Sequence, residues 1–120
     1  DVVCERFTPS TLAYQGQTPA LSAWVLELDR LVVAPAQRPN CIFILDLAAA
    51  ESFARVGGET GVEEHDSFES RGLAFQQRVR DGYLAYSHAF PHNTEVIPVA
   101  GKSMATIAED IFRQTQLRRS

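Results

Sequence analysis

The sequence predicts an α/β fold with parallel strands, on three observations. Cys41–Leu47 is a nearly continuous apolar run, as in a strand covered on both faces rather than one alternating between core and water. Segments with apolar residues at helical spacing lie before and after it. Short β-prone stretches alternate with these segments along the chain, as parallel strands joined by crossover helices require. With 120 residues the chain makes one domain at most.

The elements follow in order. Val2-Val3-Cys4 is short, β-prone and closed by the charged pair Glu5-Arg6, as a parallel strand is where it emerges into a site. Thr8-Pro9-Ser10 reads as a turn or helix start, and Thr18-Pro19 as a stronger one, with an N-cap threonine ahead of a proline at the first helical position. Leu21, Trp24, Val25, Leu28, Leu31 and Val32 then share one face of a helix, which Pro35 and Pro39 end. Cys41–Leu47 is expected as a central strand. A short helix over about Ala48–Val56 precedes Gly57-Gly58-Glu59-Thr60-Gly61, expected as a loop. Asp66 with Glu69 makes a capping-box-like start to a long helix that carries Phe68, Phe75, Val79, Tyr83, Tyr86 and Phe90 and ends near Pro91. Glu95–Val99 is a short third strand limited by Pro98, and Met104, Ile107, Ala108, Ile111 and Phe112 mark an amphipathic last helix.

Composition removes several function classes. Apolar residues make up 45% and charged residues 22%, globular proportions that exclude a disordered or low-complexity scaffold. Eleven Lys and Arg against fifteen Asp and Glu give a net charge of −4, which argues against nucleic-acid binding through a basic face. No apolar run approaches the roughly 20 residues of a membrane-spanning helix. Cys4 and Cys41 cannot build a disulfide framework and suit a reducing compartment, so a cytoplasmic protein is expected. Each reads as a small apolar residue, and neither they nor His65, His88 and His92 fall at metal-ligand spacing. The chain opens inside an apolar stretch without an initiator methionine, as a truncated or processed chain would.

Chemistry concentrates in Cys4–Gly16, where a predicted strand end is followed by a carboxylate, a guanidinium, hydroxyls, a phenol and an amide. Arg6 offers a planar fork of donors suited to phosphate oxygens, and Glu5 can orient it or hold Mg²⁺ through water. Ser10, Thr11 and Gln15 can read a base edge or a sugar. The same residues also fit a purely structural reading, with Glu5-Arg6 as a strand-end ion pair and Ser10-Thr11 as a helix cap, and spacing alone leaves both open.

The segment CERFTPSTLAYQG resembles the one bacterial thymidylate kinases carry as Asp-Arg-Tyr/His/Phe, two variable residues, Ser-Thr/Ser and Leu-Ala-Tyr-Gln-Gly. The likeness continues through WVLELDRLVV, FILDL, DSFES, FQQRVRDGYLAY and VIPVAGKSMATIAEDIF, which together cover essentially the whole chain. It implies a P-loop nucleoside monophosphate kinase that moves the γ-phosphoryl of ATP onto dTMP with Mg²⁺, making dTDP for dTTP synthesis. Its fold would be a three-layer α/β/α sandwich, of which residues 1–120 supply a C-terminal part with about three strands and four to five helices. The resemblance assigns Arg6 to the dTMP phosphate and to charge stabilisation during transfer, beside Glu5 as the other catalytic residue. Ser10 and Thr11 match positions near the thymine, Tyr14 a ring against the deoxyribose, and Gln15 a polar contact in the same pocket. It also implies a homodimer through helices such as Thr18–Val33.

Departures from the family pattern are specific. Glu5 stands where Asp is usual, which echoes the Glu-Arg pair of deoxynucleoside kinases. The lid, expected at about 55–68, carries Arg55 alone, with Ser67 where arginine is common, and leaves Arg71 as a substitute from the next helical turn or as a solvated helix charge. No G-x-x-x-x-G-K-[ST] loop occurs: ahead of Gly101-Lys102-Ser103 the first glycine would fall at Val96, so Ser103 is expected to cap the last helix. In the family's strand order 2-3-1-4-5 the chain would hold strands 3, 4 and 5 without the central strand 1. The expectation is an isolated chain without kinase activity. The other readings are a non-catalytic nucleotide-binding or interaction module, that is a decayed kinase half, and a deoxynucleoside kinase relative.

Overall fold

The computed structural model describes residues 1–60 and 66–119, with the side chains of 56–60 and 66–71 left aside. Helix α1 spans Thr8–Gln15 and α2 spans Pro19–Val32, followed by a single 3₁₀ turn at Pro35–Gln37. Strand β1 is Ile42–Asp46, α3 is Ala49–Thr60, α4 is Asp66–Ala89, β2 is Thr94–Pro98 and α5 is Met104–Arg119. The two strands pair in parallel, with Ile42 opposite Thr94, Ile44 opposite Val96 and Asp46 opposite Pro98. A parallel pair needs a long crossover, and α3 and α4 provide it.

Local signals account for most boundaries. The Thr18 side chain accepts a hydrogen bond from Leu21 N at 3.3 Å and Pro19 opens α2, so the cap and the proline act as their types require. Ser103 Oγ likewise accepts from Thr106 N at 3.2 Å at the start of α5. Lys102 is held by Asp110 at 2.8 Å, so Gly101-Lys102-Ser103 is a turn and cap rather than a phosphate loop.

The core forms where α1, α4 and the sheet meet. Leu12, Ile44 and Tyr86 are buried together, with Val25, Ile42, Tyr83 and Val96 packed against them. Helix α1 lies on α4 and α2, α3 lies on α4, and α5 packs on β2. A Cβ at Gly82 on α4 would come within 2.9 Å of Ala13 Cα, so the missing side chain there is what lets α1 and α4 approach so closely.

Four expectations need correction. Val2-Val3-Cys4 is not a strand: Val2 and Val3 are 94% and 98% exposed, and a strand exists only where a neighbour pairs its backbone. The sheet therefore has two strands among the described residues, not three. Strand β1 is not covered on both faces, for Ile44 is buried while Leu45 is 52% exposed, and among the described residues its only strand neighbour is β2. Finally, α3 continues through Gly57-Gly58 to Thr60 where a loop was expected, since glycine weakens a helix by about 1 kcal/mol without forbidding it. Of the expected lid, 55–60 are thus helical, Asp66 already begins α4, and 61–65 lie outside the described residues.

Candidate functional site

An open depression of about 370 Å³ lies at the head of α1, lined by Arg6, Phe7, Thr8, Ser10, Thr11 and Val33. Its rim is set by the backbone at Arg6, whose φ of 64° lies in the left-handed region that non-glycine residues avoid. The Cys4 thiol donates to the Arg6 carbonyl at 3.3 Å across that bend. The guanidinium lies over the Tyr14 ring, with Cζ 5.4 Å from the ring centroid, a cation–π arrangement that aims it along α1. Phe7 then turns into α1 with extended backbone, and Pro9 is buried in the first turn.

Helix α1 presents its side chains to different surroundings. Ser10 Oγ is 2.7 Å from the Tyr83 hydroxyl on α4. Tyr14, one turn later, meets the Phe75 ring at 6.0 Å between centroids, and Arg78 Cζ lies over the Phe75 ring, 6.0 Å from its centroid. Leu12 and Ala13 are buried against α4, while Thr11 and Gln15 face solvent. Thr8 Oγ1 donates to Asp29 of α2, and Asp29 also accepts from Arg38 Nη1 at 2.6 Å, which fastens the start of α1 to α2.

Of the residues singled out from the sequence, the structure brings Arg6, Ser10 and Thr11 to one depression and sets Tyr14 against Arg6. Glu5 and Gln15 are exposed and do not line it. The structural reading of these residues does not hold: among the described residues Glu5 and Arg6 enter no ion pair, and α1 is capped at Phe7 without a side-chain hydrogen bond, which leaves Ser10 and Thr11 inside the helix. Arg55 is exposed on α3, away from the depression, and the Arg71 side chain lies outside the described residues. Sequence reading missed Phe7, Thr8 and Val33 on the wall and Tyr83 behind it. Phe7 and Thr8 lie within the singled-out segment; Val33 and Tyr83 come from distant parts of the chain.

A second opening of about 440 Å³ lies past the carboxyl end of β1, between the start of α3 and α4, and includes Ala48, Ala49, Leu73, Gln77 and Arg80. Beside it Arg80 grips Asp46 with two bonds, Nε to Oδ1 at 2.7 Å and Nη2 to Oδ2 at 2.9 Å. The guanidinium holds the Asp46 carboxyl below its ordinary value of 3.8, and partial burial opposes this only in part. Among the described residues no three His, Cys, Asp or Glu side chains converge as a metal site. Glu5, exposed beside Arg6, is a carboxylate that could take Mg²⁺ together with substrate phosphates, since the ion commonly uses one or two carboxylates.

The parallel strand pair and the helices packed on it make this an α/β unit, with a depression of mixed polar and apolar lining at the head of its first helix. Residues 1–111 match the thymidylate kinase family model. The thymidylate kinase of Geobacter sp. (strain M21) is 34% identical over 119 residues, 94% of this chain and 52% of that protein. The thymidylate kinase of Chlamydia pneumoniae is 34% identical over 118 residues, 97% of this chain and 55% of that protein. The one from Symbiobacterium thermophilum is 35% identical over 112 residues, 93% of this chain and 50% of the relative. The chain belongs to the thymidylate kinase family. It spans about half the length of the curated relatives it matches.

Proposed function

We propose that residues 1–120 are the acceptor side of a thymidylate kinase, in which the full-length protein transfers the γ-phosphoryl of ATP to dTMP and yields dTDP for dTTP synthesis in the cytoplasm. One observation supports this reading: Arg6, outside any ion pair among the described residues, heads a depression whose wall bears Ser10 and Thr11, in the segment that resembles the family's dTMP-binding motif. An unpaired guanidinium keeps its donors free for phosphate oxygens.

Transfer joins an oxygen of the dTMP phosphate to the γ-phosphorus of ATP as the bond from that phosphorus to the β-bridging oxygen breaks, releasing ADP. Positioning and charge stabilisation do most of the work in such reactions. Arg6 holds the acceptor phosphate and offsets charge that builds between the two phosphates. Ser10 and Thr11 contact the thymine, Tyr14 packs on the deoxyribose, and Gln15 adds a polar contact once ligand fills the depression. Glu5 orients Arg6, or reaches Mg²⁺ through water, and Mg²⁺ when bound neutralises phosphate charge. Arg55 and Arg71 serve the ATP side from the lid. A P-loop three-layer fold would place these residues opposite the ATP phosphates, and two copies would meet through α2, whose apolar face is exposed.

The test is dTDP formation from ATP and dTMP by the full-length gene product. Arg6→Ala is expected to lower kcat/KM about 10²–10³-fold, the usual cost of removing one charge-stabilising donor, and a loss under twofold would refute the assignment. The 120-residue chain alone is expected to show no turnover, since it carries no G-x-x-x-x-G-K-[ST] loop. Nucleotide binding without turnover by the full-length product would favour the non-catalytic module, and thymidine displacing dTMP would favour a deoxynucleoside kinase.

A further inference from the structure

We propose that Tyr83 is a positioning residue for the acceptor wall: through its hydroxyl it fixes Ser10, and with Ser10 the register of α1 against α4. The inference rests on the reading of the depression as the dTMP site, and it concerns a residue that does not itself line that depression.

Three observations converge on the pair. The Ser10 and Tyr83 hydroxyls are 2.7 Å apart across 73 residues of sequence, and both side chains are half-buried. At a site partly withdrawn from water, neither hydroxyl is cheaply left unpaired. The bond also lies beside the closest approach of the two helices, because Gly82 adjoins Tyr83 and its missing side chain admits Ala13 Cα. Backbone contact there sets the separation of the helices but leaves them free to slide or roll, and the Tyr83–Ser10 bond, one turn toward the head of α1, removes that freedom. Finally, Ser10 is inside a helix, where a serine hydroxyl otherwise turns back to the carbonyl four residues earlier. Tyr83 holds it instead on the side that lines the depression.

The chemistry of the hydroxyl pair gives the tether a role in recognition. A serine hydroxyl has one proton and two acceptor positions. With Tyr83 donating, Ser10 keeps its proton for an acceptor on the ligand, such as a pyrimidine carbonyl. Without Tyr83, Ser10 Oγ turns among its rotamers and must be ordered when the ligand binds, a cost that falls on affinity rather than on the transfer step.

Tyr83→Phe in the full-length protein removes the hydroxyl and keeps the ring. Steady-state kinetics are expected to show KM for dTMP raised about 3- to 10-fold, the range of one net hydrogen bond, with kcat and KM for ATP within about twofold. Adding Tyr83→Phe to Ser10→Ala should then cost nothing further, since the two hydroxyls act as one unit. Amide hydrogen exchange supplies the second readout, with Leu12–Gln15 exchanging faster in Tyr83→Phe and α5 unchanged. An unchanged KM for dTMP overturns the proposal, as does an equal loss in both substrates, which marks a general structural defect. If the wild-type protein does not phosphorylate dTMP, the functional reading fails on its own. Exchange still decides the tether in that case: acceleration confined to α1 supports it, and unchanged exchange overturns it.

Discussion

Helices α1 and α2 are neighbours in the chain and in space, yet the core treats them oppositely. The shorter α1 buries Pro9, Leu12 and Ala13, whereas α2, with the more regular apolar stripe, buries no residue. Trp24 is 66% exposed and Val32 75% exposed, and of the stripe only Val25 packs against the buried cluster. An amphipathic repeat says which face of a helix is apolar; whether that face is covered depends on a partner surface, which for α1 is α4 and for most of α2 is nothing among the described residues. Small residues act in the same direction, since Gly82 and Ala13 let two backbones touch while the bulky stripe of α2 stands clear.

Substitutions can break or sharpen this contrast. The largest effect is expected at Leu12, buried between α1, α4 and the sheet: Leu12→Ala should cost about 2–5 kcal/mol, read from the urea midpoint. A loss below about 0.5 kcal/mol would mean that α1 is no better anchored than α2. Next in size is a loss gated by pH. Asp46 is 19% exposed and doubly bonded to Arg80, while the Glu27–Arg30 pair on α2 stands more than half exposed. Because Arg80 depresses the Asp46 carboxyl below 3.8, the stabilisation is complete above that value and disappears as the pH falls through the lower, folded-state value. Thermal melts should drop on acidification below about pH 4, and Asp46→Asn should flatten that acid limb more than Glu27→Gln does, since Arg30 lowers the Glu27 carboxyl too but water screens that exposed pair. The smallest effect on unfolding is expected at Leu31, 65% exposed on α2. Leu31→Ser should shift monomer stability by no more than about 0.5 kcal/mol but weaken self-association of the full-length protein in sedimentation, and a large unfolding cost would show α2 to be covered within its own chain.

Much of the architecture was legible in the sequence because its signals are local. Thr18-Pro19, the α2 stripe, the apolar run of β1, the 24-residue α4 and the Ser103 cap all sit within a few turns of the residues that specify them. Apart from α3, which runs on through Gly57-Gly58 because a local glycine penalty is too small to end it, the failures share a cause: each depended on something distant along the chain. Val2-Val3 has strand-forming side chains but no strand beside it among the described residues, so propensity had nothing to pair with. Leu45 lies in a run that looks doubly covered, yet what would cover its outer face is not among the described residues. At the candidate site, Arg6, Ser10 and Thr11 could be singled out together because they share one segment. Tyr83 and Asp46–Arg80 were missed because their partners are 73 and 34 residues away, where no periodicity reaches.

The bend at Arg6 has a consequence for how this protein can change. A residue with a side chain in the left-handed region costs on the order of 1 kcal/mol, and glycine would adopt the same φ of 64° without that penalty. With Arg6 holding the acceptor phosphate as proposed, thermal robustness and phosphate chemistry would pull residue 6 in opposite directions. A lineage selected only for heat resistance would drift toward glycine there and lose the guanidinium with it, whereas one selected for turnover must keep the awkward backbone and find its extra stability elsewhere, for instance in the half-open face of β1.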